Sequence, residues 1–148
     1  MIGLFKGLSI TLKTLFRRPV TVQYPREHLP LPPRFRGFPV LIYDQEADEP
    51  RCIACLLCAR NCPTGCITVT GRDNDKGQAE RYGRKRVVDQ FFLDVGLCML
   101  CTICVEVCPV DAIRMGRVHE LAISDRDLLV LDREALLGMA HGSGEGGP

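Results

Sequence analysis

Over the first sixteen residues, apolar side chains recur at Leu4, Phe5, Leu8, Leu12, Leu15 and Phe16, while Lys6, Ser9, Lys13 and Arg17 take the other side. Steps of three and four residues place the apolar set on one face of a helix. Ile2 to Phe16 is therefore expected to be an amphipathic helix. It is too short and too charged to cross a bilayer, which takes about 20 mainly apolar residues. Its basic character, with no acid before Glu27, resembles a targeting segment, but no small-residue cleavage site follows it. From Arg18 to Gly37 the period is lost, and the five prolines of R-P-V-T-V-Q-Y-P-R-E-H-L-P-L-P-P-R-F-R-G restrict the backbone. That stretch predicts an extended arm.

Further on, two apolar, β-favouring runs, Phe38 to Tyr43 and Val87 to Leu93, each precede a group of cysteines. Two shorter ones, Ile67 to Thr70 and Ile113 to Met115, follow those groups. Each half then reads strand, cysteine loop, short helix, strand. Between the halves, residues 71–86 are polar, with turn residues Asp73, Asn74 and Gly77, and predict an inserted surface loop. Beyond Gly116, Leu128 to Leu131 predicts a packing segment, and Asp132 is placed to N-cap a helix through about Met139. Residues 141–148, H-G-S-G-E-G-G-P, formally match G-x-G-x-x-G, but no strand leads in and no helix follows, so they read as a flexible tail.

A chain of 148 residues defaults to one domain, and a net charge of +1 argues against nucleic-acid binding, which needs a basic excess. The average conceals an asymmetry. Residues 1–36 hold seven Lys or Arg against one acid. An SH3-type ligand, a nucleic-acid tail and a membrane-surface anchor are all compatible with such a stretch, and the adjoining apolar helix face favours docking on a membrane or a membrane subunit. Nine cysteines, an odd number without a secretory signal, point to a reducing compartment and metal thiolates rather than a disulfide scaffold.

Eight of the nine fall into two copies of C-x2-C-x2-C-x3-C-P. Cys52, Cys55, Cys58, Cys62 and Pro63 recur 46 residues later as Cys98, Cys101, Cys104, Cys108 and Pro109, and the match continues from Ile67 to Ile113. This is an internal duplication. Three cysteines at steps of three let one loop wrap a cubane and supply three thiolates, while in the bacterial two-cluster pattern the fourth ligates the other cluster. The expected ligands are Cys52, Cys55, Cys58 and Cys108 for one [4Fe–4S] cluster, and Cys98, Cys101, Cys104 and Cys62 for the second. Zinc is the competing reading, but its thiolate pairs are usually separated by a long gap so that they can close on one ion. Cys66 aligns with Ala112 and is expected to be a small buried side chain beside a cluster, with a redox or alternative-ligand role as the competing reading.

Little else carries chemistry. His28, His119 and His141 share no ligand spacing and read as surface or packing residues. Asp44, Glu46, Asp48 and Glu49 read as a solvated acidic turn, while Arg51, Arg60 and Arg114 are either solvated or placed to offset cluster charge. No paired-carboxylate, nucleophile-elbow or phosphate-loop signature is present, so no catalytic residue is assigned. The fold class expected is α+β, a duplicated ferredoxin-like 2[4Fe–4S] domain (37–118) preceded by the amphipathic helix and arm (1–36) and followed by a C-terminal extension (119–148).

The N-terminal helix, the arm phrases P-V-T-V-Q-Y-P-R-E and L-P-L-P-P-R-F-R-G, the motif R-C-I-A-C-L-L-C-A-R-N-C-P-T-G-C-I, the R-Y before the second half, and C-P-V-D-A-I together resemble the subunit I (TYKY-type) family of NADH-quinone oxidoreductase, respiratory complex I. The cluster motifs are common to two-cluster ferredoxins; the Pro/Arg arm fused to them is more specific. The resemblance runs from Gly3 to about Ile113, and more weakly to Leu137. It implies a peripheral-arm subunit relaying electrons from the flavin side, through two tetranuclear clusters, toward a neighbouring subunit's cluster that reduces quinone. Its implied partners are peripheral-arm cluster subunits, quinone-site subunits and a membrane-heel subunit, on the cytoplasmic side of the bacterial inner membrane. The isolated chain is expected to catalyse nothing. Residues 87–96 are more hydrophobic than the family's usual approach to the second motif, which implies an altered contact there. The competing readings are a cluster subunit of a related membrane hydrogenase or ferredoxin-fed complex, and a free ferredoxin, which would leave the helix and basic arm unexplained.

Overall fold

The computed structural model describes residues 2–45, 49–74 and 85–142, with side chains up to residue 140. It divides into two units, Met1–Pro32 and Pro33–Pro148. In the first, helix α1 spans Ile2–Leu15 and buries none of its residues. The Thr11 and Thr14 hydroxyls donate to the Leu8 and Ile10 carbonyls at 2.9 and 3.0 Å, returning their polar groups to the helix itself. The arm beyond it is not uniformly extended. The N–H groups of Arg26 and Glu27 both donate to the Gln23 carbonyl, at 2.9 and 3.0 Å, closing a turn, and the Tyr24 ring meets His28 edge-on at 5.3 Å.

In the second unit, β1 (Pro39–Leu41), β2 (Tyr43–Asp44) and β3 (Glu49–Pro50) lead to the first motif, which contains α2 (Leu57–Arg60) and is followed by β4 (Ile67–Asp73). The second half runs β5 (Arg86–Asp94), α3 (Ile103–Glu106) and β6 (Ile113–Met115). A 3-10 turn (Asp127–Leu129), β7 (Val130–Leu131) and α4 (Arg133–Gly142) complete it. Pairing crosses between the halves. The first half's opening strand β1 is antiparallel to the second half's closing strand β6, Val40 opposite Arg114, while β4 pairs with β5, Ile67 opposite Leu93.

Period-two burial sets the faces: Ile67 and Val69 point in, Thr68 and Thr70 out. A register shift at Thr70/Gly71 breaks the alternation, and opposite it the adjacent Val87 and Val88 are both buried. This accounts for the hydrophobic approach to the second motif. β7 extends that sheet to the order β4-β5-β7, and α4 packs on β1 and β5, so Leu131 and Leu136 join one core with Leu41, Val88, Phe91 and Leu93. The ends of this added layer are tied by hydrogen bonds. Arg126 grips Asp94 with two bonds of 2.9 and 2.8 Å, Asp132 Oδ1 accepts the Ala135 N–H at 2.8 Å as the N-cap, and Arg114 donates to the Ala140 carbonyl at 2.8 Å.

Several boundaries differ from the sequence expectation. The inserted loop is shorter than 71–86, because Gly71, Arg72 and Asp73 pair with Val88, Val87 and Arg86 and prolong the ladder; Gly77 lies outside the described residues. The first strand stops at Leu41, and Tyr43 joins a separate hairpin with Pro50. Glu49 is not solvated: it is 8% exposed, with its carboxylate 3.7 Å from the Arg72 guanidinium, which supplies the countercharge burial requires. Glu46 and Asp48 lie outside the described residues. Helix α4 runs to Gly142, past Met139, and residues 143–148 are not described.

Candidate functional site

Three thiols spaced three apart reach one cavity only if the backbone between them reverses hand. Ala54 and Leu56 adopt positive φ, at 50° and 64°, and so do Leu100 and Thr102, at 55° and 70°. A third pair, Gly65 and Asp111, has φ of 64° and 49°, so the left-handed residues of the two motifs lie 46 positions apart throughout. For residues with a Cβ the left-handed conformation costs roughly 1–2 kcal/mol each. The backbone is thus strained at matching points of both loops. Each loop then enters a four-residue helix whose second residue is the third cysteine, Cys58 in α2 and Cys104 in α3, both buried. The helices end before the fourth cysteines, Cys62 and Cys108.

The folded chain brings the eight motif cysteines together in two sets. One cavity is lined by Cys52, Cys55 and Cys58 of the first motif and Cys108 of the second, with Val69 and Ile113 among the apolar residues around them. The other is lined by Cys98, Cys101 and Cys104 together with Cys62, and also by Cys66, Thr64 and Thr102. Among the described residues, no three His, Cys, Asp or Glu side chains close on one ion-sized point. Thiols standing around the walls of a largely apolar cavity suit a polynuclear group held by sulfur.

Burial sets the acidity of these thiols. It pushes Cys58 up to about 12 and Cys104 up to about 11, and it raises Cys52 as well. At Cys62 burial also acts upward, but side-chain and backbone hydrogen bonds from Thr64 and Cys66 outweigh it and bring the thiol down to about 7. Backbone amides already aim at sulfur: the Ala112 N–H donates to Cys108 Sγ at 3.2 Å, and the Ala54 N–H to Cys52 Sγ at 3.5 Å.

Cys66 is buried in the wall of the second cavity, and its own thiol is pushed by burial up to about 12. Its equivalent Ala112 is fully buried too. Sequence reasoning placed it as a packing residue but missed its contact, Sγ to Sγ at 3.4 Å, with Cys62. Thr64, whose Oγ1 lies 3.5 Å from the same sulfur, was also missed. The repeat carried the signal, since Thr64 stands where the other half has Val110. His119 packs edge-on against Phe35 at 5.1 Å and His28 against Tyr24, as packing residues do. The side chain of His141 is not described.

A 4Fe-4S dicluster domain family matches residues 51–112, the span of both motifs. The chain is 41% identical over 136 residues to an NADH-quinone oxidoreductase subunit I of Geobacter metallireducens, covering 90% of this chain and 95% of that protein. The chain belongs to the NADH-quinone oxidoreductase subunit I family. Further subunit I relatives are those of Streptomyces coelicolor, 42% identical over 90% of this chain, and Symbiobacterium thermophilum, 39% identical over 88%. The chain spans 66% and 52% of the length of those two proteins. A solved structure, of the membrane-bound sulfane sulfur reductase, an archaeal respiratory membrane complex, contains a chain similar over 80% of this one, at 28% identity and a TM-score of 0.51. As a family member with a dicluster domain, the chain holds two [4Fe–4S] clusters.

Proposed function

We propose that this chain is the two-cluster electron relay of a proton-translocating NADH-quinone oxidoreductase, passing electrons from the flavin side toward the quinone site. The observation that carries this reading is the crossed lining of the two cavities, three cysteines from one motif and one from the other in each case. Cys52, Cys55, Cys58 and Cys108 would hold the first cluster, and Cys98, Cys101, Cys104 and Cys62 the second. Bound there, each cluster takes up and releases a single electron. The chain's own contribution is to fix the spacing of the two sites, because crossed ligands in a duplicated unit staple the halves together, and to bury Cys52, Cys58 and Cys104 away from water. It supplies no nucleotide, flavin or quinone chemistry, so activity belongs to the assembly.

The partners in this reading are the neighbouring cluster subunits, the quinone-site subunits and a membrane-heel subunit. Residues 1–36 serve as the docking arm, 37–118 as the cluster domain and 119–148 as its C-terminal extension. Leu4, Phe5, Leu8, Leu12 and Leu15 leave an apolar face exposed on α1, next to Lys6, Lys13, Arg17 and Arg18. A membrane surface complements both properties. No helix among the described residues is long and apolar enough to cross a membrane. The position in this reading is peripheral, on the cytoplasmic side of the inner membrane. The likeness to the sulfane sulfur reductase chain supports a second reading, a relay in a respiratory membrane complex other than an NADH-quinone oxidoreductase.

Membranes from a strain lacking this chain separate the two. Loss of NADH-driven quinone reduction, restored by the intact chain, is the outcome expected; unchanged quinone reduction from NADH would remove the complex I assignment.

A further inference from the structure

The two cavities are equivalent in backbone but not in what reaches their crossing ligand. Cys108 and Cys62 occupy the same position of the repeat, and each is followed by a turn into a strand. Around Cys108 the residues two and four further on are Val110 and Ala112, which have no side-chain donor; Ala112 offers only its N–H, at 3.2 Å. Around Cys62 the same positions are Thr64 and Cys66. Thr64 Oγ1 stands 3.5 Å and Cys66 Sγ 3.4 Å from Cys62 Sγ, and both residues line the second cavity. A cysteine that binds iron does so as a thiolate, which only accepts hydrogen bonds. The hydroxyl of Thr64 and the thiol of Cys66 are then the donors. A third difference, Thr102 in place of Leu56, adds nothing at sulfur, because its hydroxyl donates to Glu106 Oε1 at 3.4 Å.

We infer that Thr64 and Cys66 are tuning residues: their side-chain hydrogen bonds to Cys62 hold the second cluster at a higher reduction potential than it would have with the Val110 and Ala112 pair of the first. The inference rests on the cluster assignment above. The physical reason is charge. Adding an electron increases the negative charge on the cluster and its thiolates, and a donor pointed at sulfur stabilises that charge more in the reduced than in the oxidised form. Because Cys66 is buried, little water is available to replace its donor once it is removed.

The test is a mediator-poised redox titration of the full chain in its complex, reading the two clusters by their EPR signals. In Thr64→Val with Cys66→Ala, which copies the first site, the ratio of reduced to oxidised second cluster at a fixed potential should fall about threefold to tenfold, tenfold being 59 mV for a one-electron couple. The first cluster should be unmoved. Cys66→Ser keeps a donor and should reverse most of the shift produced by Cys66→Ala. The inference is overturned by an unchanged second potential in the double variant, by an equal shift of both clusters, or by outright loss of the second cluster in Cys66→Ala, which would make Cys66 a ligand. Wild-type protein without two tetranuclear signals would instead remove the cluster assignment itself.

Discussion

Cys58 and Cys104 enter the helical turns of their motifs with thiols that burial pushes to about 12 and 11, so each site accepts iron only by expelling a proton. Such a thiol is protonated at pH 7 and at pH 9 alike when the site is empty, and it carries no proton once metal-bound. Apparent affinity therefore rises by about tenfold per pH unit for each proton released. Anaerobic reconstitution with iron and sulfide, followed by cluster absorbance, should become steadily more complete from pH 7 to 9; a flat profile would contradict the buried, protonated sites. The same shift acts on folding of the cluster-free chain. Groups raised from 9.0 to about 11–12 give stability that is present below pH 9 and lost as pH climbs toward 12, so the urea midpoint of the stripped protein should fall over that interval. At this scale the sequence was informative about identity and silent about direction. The repeat located all eight motif cysteines and aligned Cys66 with Ala112, but the contact of Cys66 with Cys62 depends on the turn at Gly65, whose φ of 64° no spacing rule specifies.

Among the elements, the β4-β5 ladder and the first cysteine loop meet at Gly71. A Cβ there would stand 2.6 Å from Ala54 Cβ, inside the strained loop that carries Cys52 and Cys55. Gly71→Ala should destabilise the fold by about 1–3 kcal/mol in chemical denaturation and weaken the first cluster's EPR signal before the second's. Helix α4 makes a different contribution. Leu136 is 1% exposed within the same core as Leu41 and Leu93, so Leu136→Ala should cost about 2–5 kcal/mol and lower the denaturant midpoint accordingly. The helix itself was readable, because Asp132 is a good N-cap before an apolar run. The sheet beyond residue 70 was not. Gly71, Arg72 and Asp73 are poor strand formers by composition, and pairing with Val88, Val87 and Arg86 decided their conformation. Glu49 was misread for a related reason: its countercharge, Arg72, is 23 residues away in sequence.

For the whole molecule, the crossed pairing of β1 with β6 and β4 with β5 makes the two halves one structure, and the crossed cysteines would do the same for its cofactors. Residues 1–32 form a unit of their own, so deletion of residues 1–36 should leave both clusters in place while membrane association is lost, which fractionation with iron analysis would follow. The mixed helix-and-strand dicluster domain and the grouping of eight cysteines around two cavities were legible because metal thiolates impose a spacing on the sequence; the added layer of β7 and α4 was only partly so, since Leu131 and Leu136 reveal their partners through tertiary packing alone. Crossed ligation is tested by the EPR spectrum of the reduced chain carrying Cys108→Ala, with Cys62→Ala as its counterpart. Crossed ligation predicts that Cys108→Ala removes the cluster of Cys52, Cys55 and Cys58 and spares that of Cys98, Cys101 and Cys104, and that Cys62→Ala does the reverse. Loss of the cluster belonging to the mutated motif itself would contradict it.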